Sequence, residues 1–212
     1  MDFNNKKPTS FGNEVNISFT FLGKGHWSEK AQKYVPSTKP QMNVDVAWVG
    51  NYVLSERAKL QTLELRQMMD TATDQQMRDY KLLQFDAVAA AGVFSYGSAA
   101  GLEVRSPYIV IDVDDLVSTD EAREIQQTLI KDKEVVTALC FVSPKGLGVK
   151  WWAELPEWCK NMDFREQYSA LSRYIGYTYG ILADSTGSNV NRLCFLPYDP
   201  HCYIHPKYIT NK

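Results

Sequence analysis

Two carboxylates two residues apart close the stretch "YIVIDVDDL" (Tyr108 to Leu116), where an apolar run meets Asp112, Asp114 and Asp115. A run of β-branched apolar residues reads as a buried strand. On a strand, residues i and i+2 project from one face, so Asp112 and Asp114 point the same way. Like charges so placed repel each other unless a cation sits between them, and all-oxygen ligands select Mg²⁺ or Mn²⁺. For these residues alone, a turn cap made by Asp114 or Asp115 ahead of Ser118 is an equal alternative.

Two further polar groups fall at the ends of predicted elements. "SPKGLGVK" (Ser143 to Lys150) is a tight bend in which Gly146 and Gly148 let backbone approach a ligand, while Lys145 and Lys150 supply positive charge. A plain hairpin would use the same glycines. It is not a Walker loop, because no GK[ST] follows and no helix starts there. In "ADSTGSNVNRLCF", Asp184 follows a helix and Arg192 opens a strand. Alone, Asp184 reads as a turn residue and Arg192 as a surface residue. Brought to one sheet face, three carboxylates with lysine and arginine form a kit for phosphoryl transfer.

The elements that must position these residues follow from periodicity. "NISFTFL" (Asn16 to Leu22) reads as a strand and Gly23 to Asn43 as a loop. "LSERAKLQTLELRQMMD" reads as a helix with Ser55 as N-cap and Leu54, Ala58, Leu65 and Met68 on one face. Ala89 to Val104 reads as a short strand and a Gly-rich bend. After Leu116, Ser118 and Glu121 stand at capping-box spacing ahead of Ala122, Ile125 and Leu129 at helical period. "EVVTALCFVS" and "VKWWAEL" flank the glycine bend as strands. A capped helix runs from Asp163 to about Leu182, with Phe164, Tyr168, Leu171, Ile175 and Leu182 inward, and "RLCFLPY" closes as a strand. The order β-α-β-β-α-β from Tyr108 to Tyr198 is that of a ferredoxin-like or RRM-like sheet.

At 212 residues and 44% apolar, with 12% aromatic, the chain has material for one real core and is not a disordered tail. No apolar run approaches the roughly 20 residues that span a bilayer, and the polar start "MDFNNKKPTS" lacks a secretory apolar region, so a cytoplasmic protein without a membrane partner is expected. Proteins that grip DNA tightly and nonspecifically usually show a basic excess; with a net charge of −2 and interspersed signs, any nucleic-acid contact is expected to be local, transient or supported by another domain or partner. The four cysteines form no CxxC pair, and Cys140 reads as a reduced, buried thiol. Cys194, His201, Cys202 and His205 have ligand chemistry, but their spacing fits no zinc template.

"YKLLQFDAVAAAGVFSYGSAAGLEVRSPYIVIDVDDL", "FVSPKGLGVKWWAEL" and "DSTGSNVNRLCFLPYDP" together resemble the VirE N-terminal domain family of the primase–polymerase (archaeo-eukaryotic primase) superfamily, over about Lys81 to Pro206. The resemblance implies that Asp112 and Asp114 form the metal-binding D-h-D motif and that Asp184 is a third metal ligand. It likewise implies that Ser143, Lys145, Gly146 and Lys150 contact the phosphates of an incoming nucleotide, with Arg192 as the basic position beyond Asp184. Primase–polymerases commonly carry histidine where this chain has Lys150, and the VirE-type branch resembles this chain in using lysine. A lysine pairs with phosphate as a point charge.

The expectation is therefore an α+β protein. An RRM-like catalytic sheet over 104–212, of archaeo-eukaryotic primase fold, packs with an N-terminal α/β region over 1–103 in one domain. Its expected activity is that of a DNA primase or polymerase, a nucleotidyltransferase that joins an NTP or dNTP to a 3′-hydroxyl on a single-stranded DNA template or primer. Mg²⁺ or Mn²⁺ serves as cofactor and a helicase domain or subunit as partner, in the replication of a mobile element or phage. The alternative is a non-catalytic module of the same fold that binds nucleotide or single-stranded DNA and positions a helicase. A nuclease using the same carboxylates is a third reading, and it lacks an evident general base beside the first motif.

Overall fold

The computed structural model describes residues 18–209. The strand expected over Asn16 to Leu22 is present as β1 (Phe19–Phe21), with Asn16 and Ile17 outside the described residues. Where a loop is expected, three short strands stand: β2 (His26–Ser28), β3 (Lys33–Val35) and β4 (Met42–Val44). Helix α1 (Val46–Leu54) follows, with the Asp45 carboxylate accepting from the Trp48 N–H at 2.8 Å. Its valines and aromatics have modest helix propensity. Burial of Val46, Val49, Tyr52 and Val53 at helical spacing decides the conformation.

The helix expected from Ser55 is divided. Ser55 closes α1 instead of capping the next element: its N–H donates to Asn51 O and its hydroxyl to Tyr52 O. A 3₁₀ turn (Glu56–Ala58), α2 (Lys59–Gln67) and a second 3₁₀ turn (Met68–Asp70) follow, with Ala58 and Leu65 buried and Leu54 exposed. Helix α3 (Asp74–Gln84) starts at a Thr73–Gln76 capping box. Then come β5 (Ala87–Ala89) and the hairpin of β6 (Gly92–Phe94) with β7 (Leu102–Arg105).

The second half begins with β8 (Tyr108–Val113), α4 (Thr119–Ile130), β9 (Thr137–Val142) and β10 (Val149–Glu154). Helix α5 (Phe164–Tyr179), β11 (Leu193–Phe195) and β12 (Tyr203–Ile204) complete it. The Ser118 side chain caps α4 by accepting from the Glu121 N–H at 3.1 Å. Helix α5 ends at Gly180, whose φ of 71° is the left-handed stop that glycine takes without strain. That stop leaves Leu182, expected inward, 82% exposed.

The protein is thus a mixed α+β fold with several antiparallel sheets and, among the described residues, five α-helices. Strands β8 and β9 are parallel to each other and both antiparallel to β10, which lies between them. The closing strand departs from expectation. β11 pairs with β5, in a sheet of order β11-β5-β1-β4, and the open side of β9 is taken by β12. The chain therefore crosses back between its halves before it ends.

That crossing sets where the core sits. Strand β8 is buried on both sides, which is why its sequence is a nearly unbroken apolar run. Ile109, Ile111 and Val113 pack with Leu129 of α4 and with Leu171 and Ile175 of α5. Tyr108 and Val110 face the other way, toward Phe19, Val88, Cys194 and Trp152. Asp112 has the parity of the second set, so its carboxylate emerges at the seam between the two sheets.

Candidate metal and phosphate site

Register places the first ion pair. Lys150 of β10 lies directly opposite Asp112 of β8, and its Nζ reaches Asp112 Oδ2 at 2.7 Å. Asp112 is 5% exposed, so an unpaired charge there would be costly. Arg192 supplies a second partner. Its Nε lies 3.2 Å from the same Oδ2, and its guanidinium reaches Asp184 Oδ2 at 2.7 Å. Burial works against the charge on Lys150, yet Asp112 and Asp114 outweigh it and hold its pKa above the ordinary lysine value. Burial likewise opposes the Arg192 charge, and Asp112 and Asp184 again prevail.

Asp184 is held by its backbone. Its N–H donates to the Asp112 carbonyl at 2.7 Å, while its own carbonyl accepts from the Tyr168 hydroxyl of α5. The segment after α5 thereby lies along the free edge of β8, and Asp184 arrives beside Asp112 across 72 residues of sequence. Tyr168 reads from the sequence as a core residue of a helix face. Its phenol has the added part of fixing the third carboxylate.

Asp114 lies one residue past β8, and Asp115 after it takes the left-handed φ of 59°, turning the chain toward α4. Each of Asp112, Asp114 and Asp184 offers a carboxylate oxygen, and these atoms all lie within 4.8 Å of one another. Desolvation in the cleft raises the pKa of Asp114 above the ordinary carboxylate value; Lys150 lowers it, and Asp112 and Asp184 add to the rise. A cation would relieve that repulsion. The donor set is all oxygen and fits Mg²⁺ or Mn²⁺.

The glycine bend closes the other side. The Ser143 N–H donates to Gly148 O at 2.8 Å, and the Gly146 N–H to Ser143 O at 2.9 Å. Gly146 has a φ of 86° that side chains rarely adopt. At Gly148 a Cβ would stand 2.5 Å from Val113 O and 2.8 Å from Asp114 Oδ1, so the bend packs directly against the carboxylate site. From the first half of the chain, Arg66 of α2 donates through Nε to Pro144 O at 3.2 Å, pinning the bend from behind.

Asp112, Asp114, Asp184, Arg192, Ser143 and Lys150 line one cleft of about 1280 Å³, into which Lys145 and Lys81 also reach. Lys145 is 3.9 Å from the exposed Asp74 carboxylate. The side chain of Lys81, near the end of α3, makes no hydrogen bond or ion pair with any described residue. Burial, and then the neighbouring Lys145 and Lys150, push its pKa down to about 8. Seven of the eight residues singled out from the sequence thus line the cleft, and the eighth, Gly146, shapes the bend beside it. Lys81, Arg66 and Tyr168 had no motif to mark them; a lysine and an arginine on helices read as solvated surface until the fold brings them to the bend.

A family model matches residues 82–204, more than half of the chain and all eight of those residues. The chain belongs to the BT4734-like, N-terminal domain family. No curated protein and no solved structure matches it. The BT4734-like match begins just after Lys81, so Lys81 in the cleft and Arg66 behind the bend both come from outside the matched span. The four cysteines are free and buried, as Cys140 was expected to be, and Cys194, His201, Cys202 and His205 form no metal-ligand group among the described residues. No helix among the described residues is long and apolar enough to cross a membrane.

Proposed function

We propose that this cleft transfers nucleotides, as the catalytic part of a DNA primase or polymerase of the RRM-like, archaeo-eukaryotic primase type. The observation that carries the reading is the convergence of Asp184 with the Asp112–Asp114 pair, which begins 72 residues earlier in the chain, to place three carboxylates within 4.8 Å, facing lysines across an open cleft. Asp112, Asp114 and Asp184 would hold Mg²⁺ or Mn²⁺. A divalent ion there supplies two things: a lowered pKa for the attacking 3′-hydroxyl and neutralisation of the triphosphate. Lys145 and Lys81 have charge to spare for phosphates, and Lys150 shares its charge with Asp112. Ser143 lines the same space, and Gly146 shapes the bend that carries it. Arg192 sits where negative charge would grow as pyrophosphate leaves.

The second reading is a module of the same family that binds nucleotide or single-stranded DNA without turnover and positions a helicase. The observation favouring it is that Lys150 and Arg192 already neutralise Asp112 and Asp184 by direct ion pairs. Primer synthesis and primer extension on single-stranded DNA, with Mg²⁺ and with Mn²⁺, separate the two. Incorporation that is lost in Asp112→Asn supports the enzyme. Salt-sensitive DNA binding without incorporation under either ion supports the module and removes the enzyme.

A further inference from the structure

Charge is distributed unevenly along the chain. The segment Gly23–Asn43 holds Lys24, Lys30, Lys33 and Lys39 against Glu29 alone, which leaves it at +3. The whole chain stands at −2, so the remainder carries −5. All four lysines are exposed, and none pairs with a carboxylate among the described residues, whose ion pairs engage other cations. The middle of the segment, residues 26–35, is the β2–β3 hairpin, which carries Lys30 and Lys33 between Lys24 and Lys39 and whose register sets Trp27 opposite Tyr34. Their rings meet edge to face at 5.0 Å, and Trp27 is 43% exposed. An exposed tryptophan held in place by a second ring presents a flat apolar surface without burying it.

The hairpin is joined to the cleft. The Gly25 N–H donates to Leu82 O at the end of α3 at 2.6 Å, and both Leu82 and Pro36 line the cleft wall. A side chain at Gly25 would collide with Val35 O at 2.5 Å and Leu82 O at 3.0 Å, so the contact with α3 is close. The hairpin segment thus meets α3 beside Lys81, whose cationic neighbours include Lys145 and Lys150.

We infer that the β2–β3 hairpin is the entry platform for single-stranded DNA, with lysines on its phosphates and Trp27 stacked on a base, leading the strand into the carboxylate cleft. Resting on the reading of the cleft above, it names the surface that its template or primer uses. Unpaired lysines beside an exposed aromatic match a single strand, whose bases are free to stack and whose phosphates repeat along the chain. A duplex offers only the phosphates, and an acidic polypeptide only the charge.

Fluorescence anisotropy of a labelled oligo-dT strand over a salt series tests the platform. The triple variant Lys24→Gln, Lys30→Gln, Lys33→Gln is expected to bind at least tenfold more weakly. Its log–log salt slope should fall by about 2, since each phosphate contact on a single strand contributes about 0.7. Trp27→Ala should lower affinity about fivefold or more with the slope retained, as loss of one stacked base requires. Wild type that fails to bind, or variants that bind like wild type, overturns the inference. Equal displacement of oligo-dT by poly-glutamate at matched charge overturns it too, because stacking would then contribute nothing. Mn²⁺ and triphosphate binding, measured on the same variants, should be unchanged. Asp112→Asn should lose Mn²⁺ yet keep the strand, so failure of the platform and failure of the cleft reading are told apart.

Discussion

Asp112 Oδ2 serves two cations at once, Lys150 at 2.7 Å and Arg192 at 3.2 Å, so removing its charge does more than relieve repulsion within the triad. Asp112→Asn leaves Lys150, with a side chain only 12% exposed, largely uncompensated. The variant should lose about 3 kcal/mol of stability at neutral pH, the scale for breaking a buried pair. Urea denaturation measures it, and adding Lys150→Met should restore much of the loss. Restoration of stability without restoration of Mn²⁺ binding separates the structural part of Asp112 from its part in the cation site. Lys81 makes the opposite case. Its folded pKa of about 8 lies below its ordinary value of 10.5, so the protonated amine costs stability below pH 8. That cost fades as pH rises toward the ordinary value. Lys81→Met should therefore raise the melting temperature of the ligand-free protein at pH 7, and the gain should vanish near pH 10. For a bound triphosphate the sign reverses. Calorimetric affinity should fall as pH rises above 8 in wild type and stay level in Lys81→Arg. A flat wild-type profile would remove Lys81 from the phosphate site.

Among elements, the glycine bend depends on contacts from both halves of the chain. Arg66 of α2 holds Pro144 from behind, and Gly148 lies against Val113 O and Asp114 in front. Gly148→Ala should cost about 1–3 kcal/mol, as overpacking does, and it should abolish Mn²⁺ binding by displacing Asp114. Arg66→Ala should weaken triphosphate binding while leaving Mn²⁺ affinity intact, because Arg66 touches the bend and not the carboxylates. Equilibrium binding of Mn²⁺ and of triphosphate to each variant checks both. If Arg66→Ala changed neither constant, the bend would be held by its own turn alone.

Across the whole molecule, the two sheets share one apolar interface, and β11 crosses it to pair with β5. The expected subregions 1–103 and 104–212 are therefore interlocked at β11. A fragment of residues 104–212 would expose the Tyr108, Phe141 and Trp152 face of the central sheet and leave β11 without its partner. Such a fragment should lack a cooperative thermal transition and bind a hydrophobic dye. A fragment that melts sharply, with native near-ultraviolet circular dichroism, would show that the first half is dispensable for the core.

Periodicity and spacing determine the strands β8, β9 and β10, the helices α4 and α5, and the residue types of the site. Each of these depends on local rules: period two or 3.6, a capping side chain, or glycine at a bend. Asp112 and Asp114 are legible as a pair because two residues of strand already fix their common face. Other features depend on long-range packing that no local window contains. Helix α1 forms against its residues' propensities because the core takes up one of its faces. β11 joins β5 instead of β8 because the edge of β8 is occupied by the segment carrying Asp184, tied there by the Asp112 carbonyl and the Tyr168 hydroxyl. Lys81 joins the cleft, and Arg66 the back of the bend, only through the tertiary placement of α2 and α3. A charge on a helix looks the same in sequence whether it faces water or a binding site, and its neighbours in space decide which.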